Sequence, residues 1–173
     1  SGGTWSAGHE VRGTGALNTS GFALVNSVSC PSPGNCSAAG SYEDANFSSQ
    51  AFVVAQSGGT WGTAVEVPGT ASLDQASPGA AADSVSCGAA GDCSLGGYYS
   101  DASGLEQAFV ASETSGTWRA AQEVPGTAAL NTGGAAVTDS VSCPSAGNCS
   151  AGGQYATSQG AKQAFVADET GSP

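Results

Sequence analysis

The sequence predicts an all-β chain built from three near-identical, four-stranded antiparallel units arranged like β-propeller blades. Three observations predict it. One block of residues recurs in phase. No segment of useful length places apolar residues at helical spacing. Short alternating runs are instead bounded by Gly, Pro, Ser and Asn, the punctuation of strands and turns. Trp5, Trp61 and Trp118 open units 56 to 57 residues apart. Each unit then carries S-V-S-C ending at Cys30, Cys87 or Cys143, a second cysteine six positions on, and Q-A-F-V starting at Gln50, Gln107 or Gln163. The unit boundaries fall at 1–56, 57–114 and 115–173, within one repeat domain.

The elements follow in chain order. The first strand carries Trp. Over Thr60–Val67 it is expected to put Trp61, Thr63, Val65 and Val67 on one face and Glu66 on the other. It ends in Pro-Gly at 68–69 and 125–126, and proline suits an edge, so this strand is expected outermost. The Ala/Gly/Thr/Asn segments after Leu17, Leu73 and Leu130 read as irregular loops. The second unit has one extra residue there, where insertions are tolerated. The second strand is S-V-S-C, with Val and Cys on one face and Ser on the other. The third runs from the second cysteine to Tyr42, Tyr99 or Tyr155. The fourth is A-F-V-V or its relatives, apolar on both faces as in a central strand. Gly-rich turns at 57–59 and 115–116 return the chain to the Trp strand.

The six cysteines come one pair per repeat. Cys30–Cys36, Cys87–Cys93 and Cys143–Cys149 would each close a hairpin. A loop of that length gives about 2.4 kcal/mol in the chain-entropy picture. Zinc is the competing use of paired cysteines. It favours shorter spacers and needs four ligands, and His9 is the sole histidine. Disulfides imply an oxidising compartment, so the chain reads as the secreted, mature part of a protein whose signal peptide has been removed. Asn18, Asn35, Asn46 and Asn148 stand in glycosylation sequons.

Leu, Val and Phe supply only 24 of 173 residues, below the roughly 20% expected of a folded chain. Disulfides and close packing of small residues would have to make up the core. Acidic residues outnumber basic ones 14 to 3, for a net charge of −11. Such a chain repels nucleic acid and anionic membranes, and it has no long apolar segment for membrane insertion.

The run S-V-S-C-P-S-A-G-N-C-S-A-G-G (140–153) resembles the tandem Cys-pair repeats of secreted proteins from high-GC Gram-positive bacteria. The scarcity of Ile, Lys and Met agrees with that source. Such repeats resemble β-propeller blades. The run S-E-T-S-G-T-W (112–118) looks like a shortened Asp-box turn, with Thr114 where that motif has Asp. The resemblance implies blades, and no assigned chemistry. Propellers use about four to eight blades. Three units are therefore expected to pair with a second chain into a six-bladed ring, to pack as a three-sided prism, or to form part of an open array or fibre.

Chemistry is sparse. His9 is matched by Val65 and Gln122 in the other units, so the repeat does not require it. Arg12 and Arg119 occupy different unit positions, which leaves no arginine cluster for a carboxylate substrate. No motif calls for a cofactor. The recurrent candidates are Glu10, Glu66 and Glu123, at one equivalent position. They read either as a repeated ligand site or as solvated edge residues that discourage aggregation. Tyr42, Tyr99 and Tyr155, with Tyr98 doubling the second, are candidate sugar-stacking rings beside variable loops. Glu43, Asp44 and Asn46 are a candidate calcium cluster. The expected function is a non-enzymatic, self-associating structural scaffold. The alternative is a lectin-like module that binds glycan through the Tyr loops.

Overall fold

The computed structural model of the chain describes residues 3–169. The described chain is all-β, in three antiparallel sheets, with helix limited to single turns. The first sheet holds β1 (Ala23–Ser32), β2 (Asn35–Glu43), β3 (Ser49–Ser57), β4 (Thr60–Trp61) and β5 (Val65–Glu66). The second repeats it with β6 (Ala81–Ala89), β7 (Asp92–Ser100), β8 (Glu106–Thr114), β9 (Thr117–Trp118) and β10 (Gln122–Glu123). The third has β11 (Val137–Ser145), β12 (Asn148–Ala156) and β13 (Lys162–Asp168). Each sheet runs in chain order, and the short Trp strands pair with the F-V strand at the outer edge. A sheet therefore straddles the unit boundary: β4 and β5 open the second repeat but complete the first sheet.

Three sequence expectations need correction. The Trp strand is broken. Gln56 faces Trp61 while Val53 faces Val65, so one extra residue is inserted between the two short pairings. The bulge breaks the alternation: Ala64 and Val67 are buried and Val65 is exposed. Secondly, helix is not absent: a single turn, α1 (Thr14–Leu17), α2 (Thr70–Leu73) or α3 (Thr127–Leu130), leads into each segment read as irregular. Each starts after a glycine at φ 86 to 94° (Gly13, Gly69, Gly126), and each first threonine donates its hydroxyl to the carbonyl of Val11, Val67 or Val124 at 2.7 Å. Thirdly, the Trp strand of the first unit does not form. Residues 3–10 carry no strand, and Trp5 is 101% exposed. An edge strand needs a preceding F-V strand to bond to, and none lies before it in the described chain. The expected end of the repeat frame at Pro173 lies outside the described residues.

The three hairpin disulfides form as expected, with Cα–Cα separations of 4.0, 3.9 and 4.1 Å. The turns at Gly58-Gly59 and Ser115-Gly116 have positive φ at both central residues, the geometry whose twist suits a two-residue hairpin. The core lies between sheets. Val85, the Cys87–Cys93 pair, Leu95, Tyr99 and Phe109 of the second sheet pack with Ala39, Ala51 and Val53 of the first. Small residues also let sheets approach closely: a Cβ on Gly88 would stand 2.2 Å from the carbonyl carbon of Ser145 in the third sheet.

Candidate functional site

The recurring polar residues converge on the joints between units. The Tyr42 hydroxyl donates to Glu66 Oε2 (3.4 Å) and the Tyr99 hydroxyl to Glu123 Oε2 (3.1 Å). Each bond links β2 or β7 of one sheet to the edge strand delivered by the next repeat. Burial first, then the neighbouring glutamate, pushes both phenols above their ordinary range. Tyr42 and Tyr99 are 4% and 5% exposed, so neither ring presents a face to a sugar. Glu66 Oε1 also lies 3.4 Å from the Thr70 hydroxyl oxygen, whose proton goes to the Val67 carbonyl. It is a bonded joint residue and not only a solvated edge residue.

The serines of S-V-S-C act in the same way. Ser27 Oγ accepts from the Val85 N–H (3.1 Å) and Ser29 Oγ from the Cys87 N–H (3.0 Å). Ser84 and Ser86 repeat this with Val141 and Cys143, both at 3.0 Å. The first strands of the three sheets, β1, β6 and β11, are thus laced one to the next. Beside this ladder the Asn26 side-chain amide donates to the Ala82 carbonyl (3.0 Å) and to Asp83 Oδ1 (3.3 Å). Asp139 occupies the equivalent place in the third unit. Burial first, then Asp139 and Glu106, raises Asp83 to about 6.

The two joints differ. Between the second and third sheets lies a cleft of about 560 Å³, lined by Val110, Arg119, Val141, Ala151, Asp168 and Glu169 among others. A smaller recess beside it is lined by Asp92, Glu113 and Glu169. Glu113 is 6% exposed and its Oε2 has no hydrogen-bond partner. Burial first, then Asp92, raises its carboxyl. Two serines of the cleft donate to carboxylates that line it, Ser150 to Asp168 Oδ1 (2.6 Å) and Ser94 to Glu169 Oε2 (3.1 Å).

The remaining candidates stay apart. Tyr98 is half-buried, and burial first, then Asp83, raises its phenol. Tyr155 is partly exposed. Glu10 and His9 lie in the exposed segment 3–10. Of the calcium candidates Glu43, Asp44 and Asn46, Asp44 is engaged with its own backbone. Asp44 Oδ1 accepts the backbone N–H groups of Asn46 and Ser48 (2.8 and 3.1 Å), so this carboxylate organises its own turn. Asp101 does likewise for Ser103 and Leu105. Among the described residues no group of three or more His, Cys, Asp or Glu is placed to hold a metal ion. Comparison with protein-family models and with curated proteins finds no match to this chain.

Sequence reasoning missed the Tyr–Glu bond and the serine ladder. A signal for the first was present: Tyr42 to Glu66 and Tyr99 to Glu123 are both 24 residues apart. The ladder shows only as serine recurring on the face opposite Val and Cys. In a single strand that reads as a solvent face.

Proposed function

We propose that this chain is a secreted, non-enzymatic repeat scaffold whose units stack as propeller-like blades and which works by self-association. The observation that supports it is one surface seen covered and uncovered. Val53 in β3 is 1% exposed beneath the second sheet, whereas its counterpart Val166 in β13 is 84% exposed. On the other side of the stack Val85 is 5% exposed and its counterpart Val28 is 55% exposed. Repeat proteins bury their core through neighbour-to-neighbour contact, and an uncovered terminal face or sheet edge is a template for another copy. Three intramolecular disulfides agree with an oxidising, extracellular setting. No helix among the described residues is long and apolar enough to cross a membrane.

The non-enzymatic reading is supported by the polar residues themselves. The Tyr42–Glu66 and Tyr99–Glu123 bonds and the serine ladder hold units together, and the sole histidine lies exposed in segment 3–10. Sedimentation velocity over a wide concentration range tests the proposal. Species heavier than one chain should appear as concentration rises. A single monomeric boundary throughout would overturn it.

A further inference from the structure

We infer that the joint between the second and third sheets loosens as pH rises while the joint between the first and second holds, because a proton on Asp83 does at the second joint what the Asn26 amide does at the first. The inference concerns contacts inside one chain and does not depend on self-association. It starts from three residues set in a file. The first strand of each sheet shifts register at one equivalent place, between Val25 and Ser27, between Ala82 and Ser84, and between Thr138 and Ser140. Asn26, Asp83 and Asp139 are the residues inserted there, and none has a partner across its own sheet. The extra residue of a bulge is free to aim its side chain away from the ladder. At the first joint it aims along the stack: the Asn26 amide donates to the Ala82 carbonyl (3.0 Å) and to Asp83 Oδ1 (3.3 Å).

The second joint has the same backbone plan. Ser84 and Ser86 hold the N–H groups of Val141 and Cys143 as Ser27 and Ser29 hold those of Val85 and Cys87. Carried one unit on, the place of Asn26 falls to Asp83, and the places of Ala82 and Asp83 fall to Thr138 and Asp139. An amide has an N–H to give at any pH. An ionised carboxylate has only acceptors, and here it is set toward a carbonyl and a second carboxylate. With a proton, Asp83 becomes an O–H donor and completes the link. Without one, it faces like charge.

The surroundings of Asp83 favour the proton. β11 presents Asp139, β8 presents Glu106, β7 presents Tyr98 and β1 presents the uncharged Asn26 amide. Burial first, then the two acids, raises Asp83 to about 6, and no Lys, Arg or His is among the charges acting on it. Burial first, then Asp83, raises the Tyr98 phenol, so that ring stays uncharged as Asp83 titrates. The folded chain therefore holds this proton below about 6 and releases it above, and the stability that goes with it is lost in that direction. At the first joint Asp83 is only the acceptor, and the Asn26 donor does not titrate.

The serine-held amides report the two joints separately, so the test is residue-resolved hydrogen exchange on the full chain, from about pH 5 to about pH 7.5, with each rate divided by its intrinsic rate at that pH. Protection of Val141 and Cys143 should fall several-fold relative to that of Val85 and Cys87 as pH passes about 6. Asp83→Asn, which gives the second joint a permanent donor, should hold Val141 and Cys143 at the low-pH level throughout. Asn26→Asp should carry the dependence to the first joint, so that Val85 and Cys87 lose protection as pH rises. A constant ratio between the two pairs of amides in the native chain overturns the inference. So does a falling ratio that Asp83→Asn leaves unchanged. Should Asp83→Asn fail to fold, Asn26→Asp decides: first-joint protection that ignores pH in that variant is contrary to the role given to the bulge residue.

Discussion

The joint between the first and second sheets and the joint between the second and third share a backbone plan but differ in filling. The first is one continuous cluster centred on Leu95, Val53 and Phe109. The second is two separate clusters, around Phe165 and around the Cys143–Cys149 pair, with the cleft beside them. Much of the difference traces to one position. Leu95, wholly buried, follows Cys93 by two residues; Ala151 follows Cys149 by two and lines the cleft. Leu73 packs on the first joint, whereas its counterpart Leu130 is 45% exposed. Hydrogen bonding is common to both joints, so the ladder sets where units sit and the apolar filling sets how firmly they hold.

The sharpest way to break this comparison is to exchange the residues. Leu95→Ala removes the centre of the better-filled joint and should destabilise the chain by about 2–5 kcal/mol in chemical denaturation. Ala151→Leu should partly fill the cleft and add about 1 kcal/mol. If the two changes have equal effects of one sign, the joints do not differ in filling.

Next in size is the Tyr–Glu bond. Tyr99→Phe removes the donor to Glu123 and should cost about 1 kcal/mol. Tyr155→Phe should cost nearly nothing in dilute solution, because no glutamate meets that hydroxyl within the chain. Equal costs for the two changes in dilute protein would contradict the role given to the bond.

The smallest effect is on pH dependence at the ladder. Asp83 is raised from 3.8 to about 6, so the folded chain holds its proton more tightly than the unfolded chain does. Stability should therefore fall as pH rises from about 4 through about 6, and level off above. Asp74 and Glu113 are also raised, chiefly by burial, and act with the same sign. Asp83→Asn should flatten part of the slope in thermal melts taken across this range. An unchanged slope would remove Asp83 as a cause.

Much of this fold was legible because the chain states it three times. The Cys pairs, the S-V-S-C strands, the strand running to Tyr and the central F-V strand all lie where spacing put them. Local recurrence was enough, since each hairpin pairs residues close in sequence. What stayed hidden depends on contacts between units. The bulge after Trp61 shows only once Ala64 is seen to be buried, since alternation alone favours an unbroken strand. The helical turns at Thr14, Thr70 and Thr127 are too short for periodicity to register, although the recurring Gly-Thr marks them. Tyr42 and Tyr99 read as surface rings because they end a strand before a variable loop; their burial comes from the neighbouring repeat. The candidate site was therefore half visible. Its residues were named in the sequence, but not their partners.

The central claim is that the serine ladder and the Tyr–Glu bonds join the units. Amide hydrogen exchange on the native chain tests it most directly. The N–H groups of Val85, Cys87, Val141 and Cys143, each held by a serine hydroxyl of the preceding sheet, should exchange far more slowly than those of the exposed segment 3–10. Exchange of those four amides at the rate of unstructured chain would contradict it.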